Sequence, residues 1–447
     1  MKINFHFTTP PHWILVCILA LSLAFTFPSC SDGSSGSSDD EQTALPTYTV
    51  TFNANGGTGT IDNITEVAGT EITLPAGTAF TQDGFGYIFA GWNTKANATG
   101  KNYAAGEKIT LNSNLTLYAK WGFTAEDALK KIQSITESGA HTVSIVGNVA
   151  DCIAKTGRDT PSKIVDALLA LLEKNSDARI ILDLSGTDDL TTIPTFAFKG
   201  NSRFDCENLS RIILPEGIRN IEASAFFQCG NLVDVVLPKT LDSIESYAFT
   251  ACNSLTEIVI PEGVSELGAI FYDCKSLKNV SLPSSLRKLS STFRDCSSLE
   301  KIVIPEGVEV LGCYVFYNCS SLVDVTLPST LKEFEEHPDF GESAIFAFCE
   351  SLKNIVIPDS VTKLSAALFF ECSSLESITI PASVTEIGRC AFDSCTKLKT
   401  VNYKGKKSDW EAISINTESS VNEANANIAL SRATIICTDE KIEPTGE

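Results

Sequence analysis

The chain has 447 residues, of which 43% are hydrophobic, with 55 acidic against 34 basic side chains and a net charge of −21. That length admits two or three domains with a sizeable core. The acidic balance argues against a nucleic-acid partner, whose phosphates would be repelled, and against docking on an anionic membrane surface.

Residues 1–30 have the layout of an export signal. Lys2 is the only Lys or Arg before an apolar run from Trp13 to Phe27, which ends at Phe27-Pro28-Ser29-Cys30. A run of about fifteen apolar residues is too short for a comfortable membrane span. Cys30, followed by a Ser/Gly/Asp-rich tether over 31–46, resembles a bacterial lipoprotein signal, although Phe27 and Pro28 stand where that motif usually has Leu and a small residue. The resemblance implies a lipid on Cys30, an exported and membrane-anchored protein at the cell surface, and membrane contact only through that anchor. Plain secretion or an uncleaved anchor is the alternative.

Residues 47–122 are rich in Thr, Gly, Asn and aromatics and contain no cysteine. Alternation in Tyr48–Phe52 and in Leu115–Ala119 predicts strands, and Asn55-Gly56-Gly57 predicts a turn. The run YTVTFNANGG, then FAGWNT (Phe89–Thr94) and TLYAKW (Thr116–Trp121), resembles the internalin B-type repeat, also called the Listeria–Bacteroides repeat. That resemblance implies a small β-grasp-like domain serving as a spacer or weak binding module. Trp92 and Trp121 are expected as core anchors, with ligand contact the competing role.

Residues 123–205 are expected to hold an amino-terminal cap and irregular first coils. Thr124 caps a helix with Asp127 three residues on, and Leu129, Ile132 and Ile135 share one face. Thr142–Val146 follows as strand. Thr160-Pro161 opens a helix with an apolar stripe of Ile164, Val165, Leu168, Leu171 and Leu172, and Arg179–Ser185 is strand again. Strand, helix, strand predicts a right-handed crossover and parallel pairing. Oversized opening coils of this kind would cover a sheet end that otherwise aggregates.

From residue 206 to 400 one phrase recurs. Cys206, Cys229, Cys252, Cys274, Cys296, Cys319, Cys349, Cys372 and Cys395 share one phase, spaced 22 or 23 residues apart except for a step of 30 from Cys319 to Cys349. Each Cys is followed by Leu, by two alternating aliphatics and by Pro in eight of the repeats, and a Phe stands three residues before most of the next Cys. A period in the twenties predicts a solenoid with one strand per coil, stabilised by stacking neighbours. In the first coil Ile212 and Leu214 should point inward and Arg211 and Ile213 outward, with Pro215 ending the strand. Eight coils at ~4.8 Å each would make a parallel sheet on the order of 40 Å long. The fold class expected is mixed β/α, a solenoid behind a small β-grasp-like domain.

The pattern C-x-x-L-x-x-I-x-I-P-x-x-V-x-x-I-x-x-x-A-F-x-x-C resembles the BspA-like leucine-rich repeat family of bacterial surface proteins. The resemblance covers about half the chain. It implies adhesion to host matrix proteins, other bacteria or host cells. Val401, Tyr403, Gly405, Trp410 and Ile413 resemble the closing segment of such proteins, giving a carboxy-terminal cap over 401–437 with a last strand at Ala433–Cys437 and a loose tail over 438–447.

The cysteine ladder suggests a row of disulfides or a metal site, but nine residues cannot all pair and the short C-x-x-C spacings of metal sites are absent. A stacked row of small hydrophobes is the expected role. Enzyme signals are equally thin. Past the export signal only His141 and His337 remain, and there is no G-x-S-x-G, H-E-x-x-H or phosphate-binding Gly-Lys-Ser/Thr loop. Neither catalysis nor a cofactor nor a metal is expected.

Function is therefore sought on the concave strand face. Its outward pairs are Arg211/Ile213, Asp234/Val236, Glu257/Val259, Asn279/Ser281, Lys301/Val303, Asp324/Thr326, Asn354/Val356 and Ser377/Thr379. They form a partly apolar stripe among mixed charges, suited to binding a protein, or they simply follow β propensity. A second candidate is the insertion Glu335–Ser343, carrying His337, Asp339 and Phe340, which should project as a loop. The expectation is a monomeric surface protein that binds host or bacterial surface and matrix proteins. The rival is an envelope-organising scaffold that binds the cell's own surface proteins.

Overall fold

The computed structural model describes residues 45–447 except 83–85, 97–99, 156–159, 189, 200–205, 340, 419–426 and 446–447. Thr47–Glu447 form one compact unit. Its first part is a mixed sheet built from β1 (Thr47–Asn53), β2 (Ile64–Val67), β4 (Ile88–Asn93), β5 (Asn102–Tyr103) and β7 (Leu115–Gly122), in the order β2-β1-β7-β4-β5, with a separate pair of β3 (Glu71–Thr73) and β6 (Lys108–Thr110). β1 runs parallel to β7 at the centre, whereas the flanking pairs are antiparallel. Alternation buries Val50, Phe52, Leu117 and Ala119 on one face. Trp92 is fully buried among Phe52, Phe80 and Phe89, its indole N–H donating to the Pro75 carbonyl at 2.9 Å. Trp121 is half-buried and donates to the Ala54 carbonyl at 3.0 Å. Both are core anchors. The turn at Asn55-Gly56 takes positive φ at both residues, and a Cβ on Gly57 would lie 2.4 Å from the Trp121 ring.

The cap follows without a linker. Phe123, directly after β7, bridges in parallel to Ile145 of β8 (Gly139–Val146). α1 (Ala125–Ser134) is capped by Thr124, whose hydroxyl accepts from the Asp127 N–H at 3.3 Å, and it buries Ala128 and Ile132. After a short turn of helix, α2 (Ala150–Ile153), comes α3 (Lys163–Lys174), which buries Ile164, Val165, Leu168 and Leu171, while Leu172 is half-buried. The helix starts at Lys163 with Ser162 as N-cap, two residues later than Pro161 suggested. β9 (Ala178–Gly186) then pairs in parallel with β8, as a strand–helix–strand crossover requires.

From Leu209 onward the coils stack in register. Strand Leu209–Ile213 pairs with β9 and with Asp234–Val236, and equivalent short strands recur at each repeat. Ile212 and Leu214 are buried, with Arg211 and Ile213 turned outward. Two expectations need correction. Each coil carries a second two-residue strand, such as Glu266–Leu267 and Lys288–Leu289, so the coil has two strand rows instead of one. Its extended backbone must satisfy its own N–H and C=O groups, and the neighbouring coil is the available partner. The front row is also not one continuous sheet. Its ladder divides into four blocks, with breaks between Asp234–Val236 and Glu257–Val259, Asn279–Ser281 and Lys301–Val303, and Asp324–Thr326 and Asn354–Val356.

A third side of each coil turns around the repeat's Phe. Phe198, Phe226, Phe249, Phe271, Phe293, Phe316, Phe346, Phe369 and Phe392 are fully buried and stack with centroids 4.9–5.9 Å apart. In most coils left-handed residues stand two positions before and after the Phe, as at Ser224 and Gln228 or Tyr314 and Asn318, and they close the turn without glycine. Beside the rings lies the cysteine ladder. Cys229 to Cys395 each direct their thiol at the Phe carbonyl of the preceding coil, at 3.0–3.5 Å. Every described cysteine is unbridged. At the carboxy end Thr434–Ile436 adds a strand to the front row. The tail expected to be loose pairs back on it, with Lys441–Ile442 antiparallel to Ile435–Ile436, because an open sheet edge has unpaired donors and acceptors.

Candidate functional site

The outward residues of the front row form one exposed stripe. Val259 and Val303 are each 67% exposed, Val356 58% and Val236 37%, so among the described residues four of the nine markedly exposed large hydrophobics fall in one register. Glu257, Lys301, Asp324, Thr326 and Asn354 are exposed around them, while Arg211, Ile213 and Asp234 are half-buried. Arg211 and Asp234 neighbour each other across the strands in an ion pair at 2.8 Å. At the first break in the ladder a cavity of about 690 Å³ opens, lined by Arg211, Val236, Glu257, Val259 and Ser281 among others. An apolar floor with charged walls favours burial of a partner's apolar side chain with polar contacts at the rim.

The insertion Glu335–Ser343 sits on another side of the coil, beside the second strand row. His337 N–H donates to the Glu342 carbonyl and Gly341 N–H to the His337 carbonyl, both at 2.8 Å, which closes the loop at its base. Asp339 projects, with its side chain 81% exposed, and Pro338 and Gly341 are exposed beside it, whereas Glu335, Glu336, His337 and Glu342 are half-buried and Ser343 is buried. The His337 ring lies 6.1 Å from that of Tyr314. Phe340 and the proposed lipid site Cys30 lie outside the described residues.

This fold lets the insertion wall a second cavity of about 910 Å³, which repeat arithmetic did not reveal. Its floor includes Tyr314, Tyr317, Phe348 and Phe370, and Arg294 faces it. The available signal was the longer step between Cys319 and Cys349 together with Phe348, which stands where other coils carry small or polar residues such as Ala251, Asp273 and Asn318. A second site missed in the sequence is a buried ion pair. Lys120 of β7 meets Asp183 of β9 at 2.7 Å, with side chains 4% and 1% exposed. Ser185 and Ser144 add hydroxyl hydrogen bonds to the same carboxylate. Burial alone would push the Asp183 carboxyl up, but the Lys120 charge and the hydrogen bonds from Lys120 and Ser185 outweigh it and hold the group below its ordinary 3.8.

Among the described residues no cluster of His, Cys, Asp and Glu could hold a metal, and no helix is long and apolar enough to cross a membrane. The front strand row and phased leucines define a leucine-rich repeat solenoid. The BspA type leucine rich repeat region matches residues 180–296, 268–338 and 290–412, together more than half of the chain, and the Listeria-Bacteroides repeat domain matches 48–120. The chain belongs to the BspA-type leucine-rich repeat family. Among solved structures it is similar to a leucine-rich repeat protein from Bacteroides ovatus, at 31% identity over 48% of this chain and 59% of that one, with a TM-score of 0.39. The match thus spans less than two thirds of that protein's length. It is similar too to a T. pallidum leucine-rich repeat protein, at 32% identity over 39% of this chain and 78% of that one (TM-score 0.35). A leucine-rich cell surface protein from Faecalibacterium prausnitzii matches at 24% identity over 62% of this chain and 86% of that one (TM-score 0.26). A search of curated proteins finds no match.

Proposed function

We propose that this chain is an exported bacterial surface protein, anchored through a lipid on Cys30, that binds host matrix proteins or other cells by the front strand row of its solenoid. The observation that carries the reading is the register of Val236, Val259, Val303 and Val356, exposed together on a rigid scaffold. The work is non-covalent, multipoint contact with no chemical step. Family membership supports it, since leucine-rich repeat proteins of this type commonly bind other proteins at cell surfaces.

The test uses residues 47–447 and a variant with all four valines changed to Glu, its folding checked by circular dichroism. Saturable binding to immobilised matrix proteins or intact cells, lost in the folded variant, is the expected result. Binding retained by the variant would remove the strand row from the reading. Binding restricted to the cell's own envelope fractions would replace adhesion with a scaffold role.

A further inference from the structure

We propose that the cavity beneath the insertion is a binding site for an acidic sugar unit, a pyranose ring bearing a carboxylate. It is built from a different side of the coils than the valine stripe and shares no lining residue with the cavity on that face.

The guanidinium of Arg294 lies over the rings of Tyr272, Tyr314 and Tyr317, at 5.4, 5.3 and 5.0 Å from their centroids. Three rings hold it in one orientation at little entropic cost to a ligand. Asp295 approaches its Nε at 3.5 Å, and that buried atom has no hydrogen-bond partner among the described residues. The terminal nitrogens of Arg294 have the fork geometry that takes a carboxylate in two parallel bonds.

The insertion wall differs in character. Glu335 pairs with Lys288 at 2.8 Å, Glu336 with Lys363 at 3.1 Å and Glu342 with Arg389 at 2.9 Å. The first of these pairs reaches over an intervening coil at Gly312, where a Cβ would lie 3.1 Å from the Glu335 carboxylate. Each carboxylate is charge-compensated yet has acceptor capacity left over, which hydroxyl groups can use. Beyond Arg294 the floor continues as Tyr317, Phe348 and Phe370, in edge contacts of 5.2 and 5.4 Å. Such rings suit the apolar C–H face of a pyranose. A carboxylate at one end, donors along the rim and an apolar face are combined in an acidic sugar, whereas an acidic peptide side chain supplies no hydroxyls to the wall.

The left-handed positions that flank the Phe in most coils bring bulky rings to the same place. Among the described residues four aromatics have positive φ, and three of them, Tyr247, Tyr314 and Phe348, line this cavity. Bulky residues are disfavoured there, and most other coils fill the position with smaller or polar residues such as Ser224, Gln228, Ala251, Asp273 and Asn318, so three rings converging on one cavity point to side chains held for it.

The test is titration of the full-length chain in mild detergent, by calorimetry and ligand-observed NMR, with four probes. They are a galacturonic acid trisaccharide, its fully methyl-esterified form, N-acetylneuraminic acid and an Asp-Phe dipeptide. Either acidic probe should bind saturably, and comparing the two tells a uronic from a sialic source. The ester should bind at least about tenfold more weakly, as should the acidic probe to Arg294→Gln. The ester comparison needs no variant, so it stands even if Arg294→Gln unsettles the rings. The four-valine variant should bind the sugars unchanged, which separates this site from the protein-binding face. Equal binding of acid and ester, no binding of either acid, or a preference for an Asp-Phe dipeptide would overturn the proposal.

Discussion

A thiol in this ladder behaves as a small apolar side chain with one weak donor. Desolvation pushes the Cys252, Cys296, Cys319, Cys349 and Cys372 thiols well up, and those of Cys274 and Cys395 up to about 12. Because the thiolate is the reactive form, these groups should resist an aromatic disulfide reagent at pH 8 until the chain is denatured. Fast reaction of the ladder in native protein, followed by mass spectrometry, would contradict the buried arrangement. Sequence spacing brought like cysteines to neighbouring coils but left their pairing open. The direction of each Sγ–H toward a Phe carbonyl decides it, since a group already satisfied by the previous coil has no geometric call for a bridge.

At the scale of one coil, the Phe stack is a continuous apolar contact from coil to coil. Phe316 touches Phe293 at 5.6 Å and Phe346 at 5.5 Å, so removing it leaves a void that two neighbours cannot both fill. Phe316→Ala should destabilise the protein by ~3–5 kcal/mol, and Phe316→Leu by clearly less, as read from urea midpoints. An equal cost for the two would show that the coils collapse onto the gap. The Phe phase was visible in the repeat, but the second strand row was not. Pairs such as Lys288–Leu289 are too short to show alternation, and they become strands only because a neighbouring coil offers its backbone.

For the whole molecule the decisive contact is between the amino-terminal sheet and the cap that opens the solenoid. Phe123 N–H donates to the Ser144 carbonyl at 2.8 Å, Tyr87 packs on Phe123 at 4.6 Å, and Lys120 reaches Asp183 behind them. Lys120→Ala would strand a buried carboxylate and should cost ~3–5 kcal/mol, whereas Lys120→Met with Asp183→Leu should cost much less. The pH dependence follows from the same pair. With the folded Asp183 below its ordinary 3.8, its contribution is fully present above that value and is lost as pH falls through the folded pKa. Wild type should therefore lose stability relative to the double variant below about pH 4, measured by thermal melts across pH 2–6. Parallel pH curves for the two proteins would mean the pair does not couple the sheet to the cap.

The repeat period, the inward Leu and Ile positions, the ringed core and the Trp anchors were all legible in the sequence. Each depends on periodicity, and a solenoid repeats one local solution under one set of neighbours. The valine stripe was legible for the same reason, because alternation along a strand dictates which side chains turn out. Only the tertiary structure decided the rest. Lys120 and Asp183 stand 63 residues apart with no motif to link them, and Arg294 and Glu342 come from different coils. The first pair meets, and the second lines one cavity, only through how one domain abuts the next and how the insertion folds back. Contacts between non-equivalent residues leave no periodic trace, so they had to be seen in space.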